Sequence, residues 1–136
     1  MDLNAAMRIA SAGMRTQSAR LRVVSENIAN AESTGTTPGA DAYRRKTVIF
    51  GQALDRELGT KLVTISRYDT DKSDEPMRLD PGNPAADADG YVKMPNVNSL
   101  VELMDMREAQ RSYEANLNAQ SMARSMLEKT ISLLKS

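Results

Sequence analysis

The chain has 136 residues, within the range of a single domain, and carries 18 basic against 18 acidic side chains for a net charge of zero. Balanced charge without an isolated lysine- or arginine-rich run lacks the electrostatic footprint of a nucleic-acid binder. Cysteine and histidine are both absent, which excludes disulfides, thiolate metal sites and cysteine nucleophiles and removes the commonest general base and metal ligand.

The apolar residues are unusual in kind: nine Met stand against one Phe and no Trp, so the core must be aliphatic and thioether. Thioethers adapt to irregular gaps, which suits a surface that fits several slightly different neighbours. No apolar run approaches the roughly 18 residues of a membrane span. The N-terminus lacks the apolar stretch of a cleavable signal, and Asp2, Arg8 and Arg15 argue against one.

From Leu3 to Ile28 there is no Pro, and Gly13 is the single Gly. Steps of four and three pick out Leu3, Met7, Ala10, Met14, Gln17, Leu21, Val24 and Ile28, a seam with only Gln17 polar. Arg8, Arg15, Arg22 and Ser25 mark the opposite, exposed side. The spacing predicts a helix about 40 Å long at 1.5 Å per residue.

Ser33 to Pro84 is rich in Gly, Pro, Asp and Thr. Strand signals are short: Thr47 to Phe50, Leu62 to Ile65 and Tyr91 to Lys93. The triplet Arg44-Arg45-Lys46 reads as a solvated strand start, and Gly35 to Gly39 as a flexible linker without a phosphate-loop lysine. Asp69 to Glu75 reads as an exposed acidic loop, and Asp80-Pro81-Gly82 and Asp89-Gly90 as turns. A two- to three-stranded β element joined by irregular loops is expected.

Beyond Pro95, Asn98 or Ser99 can cap a second helix, with Glu102 placed to complete a capping box on Ser99. Leu100 to Leu134 holds no Gly or Pro. One stripe runs Leu103, Met106, Gln110, Tyr113, Leu117 and Gln120, and resumes at Leu127, Ile131 and Leu134 after an interruption at Arg124. A second runs Ala115, Ala119, Met122, Met126 and Leu133. That arc is wider than a two-stranded seam needs and implies more than one partner helix. On the stripes alone, an intramolecular helical hairpin and an intermolecular role stand equal. Ala10, Ala115 and Ala119 would permit close helix approach. Two such helices around a middle poor in apolar residues imply a chain completed, and its ends ordered, by assembly.

Asp87-Ala88-Asp89-Gly90 has the outline of a calcium loop, but Ala85 and Asn96 fall where its anchoring ligands belong. The acidic cluster of Asp80, Asp87 and Asp89 supplies no partner base or nucleophile, so a metal-dependent hydrolase is the weakest reading. A coiled-coil adaptor or export-associated binding module is the stronger alternative to a structural assembly subunit. No catalytic residue, cofactor, metal or small-molecule substrate is assigned.

Ser25-Glu26-Asn27-Ile28-Ala29-Asn30-Ala31-Glu32-Ser33-Thr34 resembles the signature that closes the N-terminal helix of bacterial flagellar rod and hook proteins. The block Asp80-Pro81-Gly82-Asn83-Pro84 through Gly90-Tyr91-Val92, then Pro95-Asn96-Val97-Asn98, is similar to one carried by proximal-rod members of that family. Tyr113-Glu114-Ala115-Asn116 matches a further element. Asn83 stands where the family usually carries His, and Arg67 to Met77 has no matched counterpart. The resemblance implies a mainly α fold: long N- and C-terminal helices (residues 1–32 and 97–136) paired as a coiled coil in an inner layer. A loop-rich segment with a small β element (33–96) would pack outward. It further implies a subunit of the periplasmic drive shaft, with other rod proteins, copies of itself and the flagellar type III export apparatus as partners, and no nucleic acid or membrane span.

Overall fold

The structure is a computed structural model and describes residues 2–135. In chain order it contains α1 (Leu3–Ala29), β1 (Lys46–Asp55), β2 (Thr60–Thr70), β3 (Met77–Leu79), β4 (Tyr91–Lys93) and α2 (Ser99–Lys135). No described helix is long and apolar enough to cross a membrane. The chain divides into two compact units: residues 1–21, 48–67 and 107–136 form the first, and 22–47 with 68–106 the second.

The ends of the helices follow from polar side chains. Asp2 Oδ1 accepts from the backbone N–H groups of Asn4 and Ala5 and so caps α1. After Ala29 the chain turns, and the Asn30 backbone N–H and side-chain amide both donate to the Glu26 carbonyl in the last turn of α1. Asn98 caps α2, its Oδ1 accepting from Leu100 and Val101 N–H. The expected capping box does not form, because Glu102 turns inward to Asn27 and Arg45.

In the first unit the hairpin of β1 and β2 forms a two-stranded sheet closed by residues 56–59. Gly59 takes φ +60° in that turn, a backbone region that an L side chain disfavours. Within the hairpin, a Cβ on Gly51 would sit 3.2 Å from Ser66 Cβ. A groove of about 260 Å³ separates Ala12, Arg15 and Thr16 of α1 from Val63, Thr64 and Ile65 of β2. Both strands, of 10 and 11 residues, extend well beyond their four-residue β-branched runs, because polar residues such as Gln52 and Arg67 extend the ladder.

The second unit holds the other sheet. β3 and β4 run antiparallel with Met77 opposite Lys93, Arg78 opposite Val92 and Leu79 opposite Tyr91. The Met77–Leu79 strand carries no alternating pattern, all three residues being exposed, which is why the sequence did not announce it. Beneath it Ala85, Val92 and Met94 are buried together with Ala86 against them. Gly35 to Gly39 is not a free linker: Gly39 N–H donates to the Ala85 carbonyl, and Gly35 abuts Ala40 so closely that a Cβ would meet it at 2.5 Å. Nor is Asp69 to Glu75 a wholly exposed loop, since β2 runs to Thr70 and the Glu75 side chain is buried beside Arg44.

Candidate functional site

The second unit is centred on Asn27, which is completely buried. An amide offers two N–H donors and two acceptor lone pairs, and all four are used here. Nδ2 donates to the Lys46 carbonyl and to Glu102 Oε2, while Oδ1 accepts from the Tyr43 hydroxyl and the Lys46 N–H. Glu102 is likewise fully buried, and its second oxygen accepts from Arg45 Nε. Arg45 also lies near Asp71 (3.9 Å) and Asp105 (3.6 Å), while its backbone N–H donates to Asn96 Oδ1. The Asn96 amide reaches on to the carbonyls of Asp71 and Ser73.

The basic triplet does lead into β1, which begins at an exposed Lys46, but its side chains are paired rather than merely solvated. Arg44 pairs with Glu75, Arg45 with Glu102, and Lys46 with Glu26 at 2.9 Å. A buried carboxylate is costly unless paired, and Arg45 is the partner that periodicity could not reveal. The Ser73 backbone N–H and hydroxyl hold the Asp71 carboxyl below its ordinary value. Burial pushes the Tyr43 phenol up, and the hydrogen bond that Lys46 donates to Glu26 raises the Lys46 amine.

The Asp80–Asn98 block is a set of interlocking turns. Asp87 Oδ1 accepts from Asp89 and Tyr91 N–H, Asp80 N–H donates to the Gly90 carbonyl, and Asn83 Oδ1 accepts from the Ala85 N–H. Gly90 has φ +85° and presses against Pro81. Asp87 thus serves the backbone of its own turn. Pro81, Gly82 and Pro84 lie in the preceding turns, at 81–85, and Tyr91 lies half exposed on β4. Asp41 pairs with Lys93 at 2.6 Å, which lowers the carboxyl and raises the amine. Thr34 touches the Asn83 amide at 3.5 Å.

In the first unit, Arg8 bridges Asp55 (3.0 Å) and Glu57 (2.6 Å). The pairing holds the Asp55 carboxyl below its ordinary value. The two helices meet at Gly13, where a Cβ would fall 2.6 Å from Asn116 Oδ1, and at Arg20, 3.6 Å from Glu108. They pass in opposite directions, and Gly13 is the close approach.

Of the residues singled out on α1, Ala10 and Val24 are buried and Leu3, Met7, Met14, Leu21 and Ile28 half-buried. The most buried positions also include Ala12, Gly13, Thr16, Ala19, Val23 and Asn27. Ala29 is exposed and Asn30 half-buried. On α2 the sheltered row is Glu102, Met106, Ala109, Tyr113, Asn116, Gln120, Ala123 and Leu127. Leu103, Leu117, Met122, Met126, Ile131, Leu133 and Leu134 are exposed, as are Glu114, Ala115 and Ala119. Apolarity therefore picks out the outer arc of α2 together with Met106, Tyr113 and Leu127 of the inner row, and misses Glu102, Ala109, Asn116 and Ala123 between them. A steric reading of that row, a short or small residue at each heptad step through Ala109, Asn116 and Ala123, is the signal that could have found them.

Two family models match. "Flagella basal body rod protein" covers residues 7–35, and "Flagellar basal body rod FlgEFG protein C-terminal" covers residues 88–133. A flagellar basal-body rod protein FlgC of Agrobacterium fabrum is 57% identical over 133 residues, spanning 98% of this chain and 96% of that protein. The FlgC protein of Salmonella typhimurium is 39% identical over 92% of each chain. That of Borreliella burgdorferi is 34% identical over 99% of each. Likeness of this degree along nearly the whole length establishes descent: the chain belongs to the FlgC family of flagellar basal-body rod proteins, a structural family and not one of enzymes.

Proposed function

We propose that the chain polymerises in the proximal rod with other rod proteins and copies of itself, through its terminal helices, to form a torque-transmitting shaft in the periplasm. In this reading residues 1–32 and 97–136 pair as a coiled coil in the inner layer, and 33–96 pack outward. The chain leaves the cytoplasm through the flagellar type III apparatus. Pairing is supported by the spacing of the helix contacts: Gly13, Arg20 and Asn27 stand one heptad apart, and their partners Asn116, Glu108 and Glu102 run in reverse over the same two heptads, in steps of eight and six.

The observation that carries the polymerisation is the outer arc of α2. Met122 is 62% exposed, in line with Ala115, Ala119 and Met126, although it is apolar. The same register brings Leu3 level with Met126, so Ile131 and Leu134 extend the inner row past the start of α1. Exposed apolar surface on this scale marks an interaction face, and a face that meets a different face on its neighbour builds an open helix rather than a closed ring. Changing Met122 to Glu tests this. The isolated subunit should keep its helicity and melting temperature, while rod incorporation and swimming are lost. Normal rods from a Met122→Glu strain would refute the reading.

A further inference from the structure

The paired helices raise a question of register that their apolar residues do not answer. Along α1 the buried positions near the pair are Ala12, Gly13, Thr16 and Ala19, and along α2 they are Ala109 and Ala123. Small residues repeat with the heptad on α2, so sliding one helix by seven residues would set Gly13 against Ala109 or Ala123 instead of Asn116. Gly13 would then face a residue smaller than the Asn116 it meets now. Sterics alone leave the neighbouring registers close in energy.

We propose that the buried Asn27–Glu102 pair is a register lock that sets which heptads of α1 and α2 face each other. The lock rests on the proposed pairing of the two helices. A slide in one direction would carry Asn27 opposite Ala109 and Glu102 beyond the end of α1. The opposite slide would bring Glu102 to Arg20 but leave Asn27 level with Pro95, outside α2. Either way Asn27 loses one of its four hydrogen bonds in a site from which water is shut out. Lys46 and Tyr43 fix the Asn27 amide, and Arg45 fixes Glu102, so neither group can follow a sliding helix. Buried polar pairs on a helix seam are best attested in this role of fixing register.

The cysteine-free chain allows a direct test by disulfide trapping. A Cβ at Gly13 lies 2.8 Å from Asn116 Cγ, the atom whose place a cysteine sulfur would take, which suits a disulfide. The matched pair is Gly13→Cys with Asn116→Cys. The shifted pairs are Gly13→Cys with Ala109→Cys or Ala123→Cys, each on Asn116→Ala so that no clash favours sliding. Oxidised full-length monomer should trap only the matched pair. With Asn27→Leu and Glu102→Leu added, helicity by circular dichroism should persist. Trapping of a shifted pair should then rise from background to within about twofold of the matched one. Glu102→Met, in which Arg45 keeps Asp71 and Asp105, is the milder companion and should also release shifted pairs. Exclusive trapping of the matched pair in these backgrounds would overturn the lock while leaving the pairing intact. Failure of the matched pair in the otherwise native chain would instead remove the pairing, and the lock with it. Loss of helix in both backgrounds would show a requirement for folding rather than register, and would equally overturn it.

Discussion

Gly13 is the place where the physics of α1 can be tested most sharply, because two effects of known sign oppose each other there. In the interior of a helix, Gly→Ala stabilises by about 1 kcal/mol, since alanine restricts the unfolded chain and suits the helix. Here the new methyl would meet Asn116 Oδ1 at 2.6 Å and Nδ2 at 2.8 Å, far inside ordinary contact. Asn116 has little room to yield, because Nδ2 donates to the Ser112 carbonyl at 2.8 Å. Overpacking of this kind costs about 1–3 kcal/mol, which includes giving up that hydrogen bond at about 1 kcal/mol. The clash wins: Gly13→Ala should destabilise by about 1 kcal/mol net of its propensity gain.

The decisive measurement is a double-mutant cycle. On an Asn116→Ala background the obstacle is gone, so Gly13→Ala should stabilise by about 1 kcal/mol. The coupling between the two positions is then about 2 kcal/mol, well above the scatter expected of distant sites. Urea unfolding of the four chains, followed by circular dichroism with the denaturant slope held common, gives the number directly. Additive effects, or a stabilising Gly13→Ala in the otherwise native chain, would mean that α1 and α2 do not approach at Gly13, and the reasoning would fail.

The remaining predictions concern charge. Glu102→Ala should cost about 3 kcal/mol in urea unfolding, the lower end for breaking a buried pair, because Asp71 and Asp105 still face Arg45; a loss below about 1 kcal/mol would place Glu102 among surface pairs. The carboxyls of Asp41, Asp55 and Asp71 are all held below their ordinary value when folded, by Lys93, by Arg8 and by the Ser73 N–H. Their stabilisation is present above the unfolded pKa of about 3.9 and is lost as pH falls through the lower folded values. Asp55→Asn should therefore flatten the acid limb of the urea midpoint measured against pH, and an unchanged limb would contradict the Arg8 pairing.

Most of the long-range layout is legible in the residues themselves, and the features that are not share a cause. Hydropathy reports that a face avoids water, not which neighbour covers it. On α2 the apolar stripes through Leu103, Leu117, Met122 and Met126 fall on the exposed arc. The side toward α1 sets Glu102, Ala109, Asn116 and Ala123, residues that score as neutral or polar, between Met106, Tyr113 and Leu127. The first stripe therefore straddles the two sides of α2, with Met106, Tyr113, Gln120 and Leu127 sheltered and Leu103 and Leu117 exposed. β3 escapes for a related reason, since three exposed residues paired to β4 leave no alternation to read. Glu102 reads as a local cap because capping logic sees only neighbours in sequence, whereas its partners Asn27 and Arg45 are far along the chain.

The motif residues behave differently, and they explain why a short signature can identify a family with no catalytic chemistry. Asn30 returns a hydrogen bond to the last turn of α1, Asn98 opens α2, and Asn96 ties Arg45 N–H to the carbonyls of Asp71 and Ser73. Asp87 gathers two N–H groups in its turn, and Gly90 supplies a positive φ that other residues resist. Asn98, Asn96 and Asp87 satisfy backbone groups that a bend would otherwise leave open, and a buried open group is costly to any fold. Asn27 does the same across elements, binding both the N–H and the C=O of Lys46. A calcium loop and a rod-protein turn can therefore share Asp-x-Asp-Gly without sharing chemistry. In the calcium loop the carboxylates face a cation, and here Asp87 faces the N–H groups of its own turn. Hydrogen-bond partners, more than residue type, decide which of the two a sequence has made.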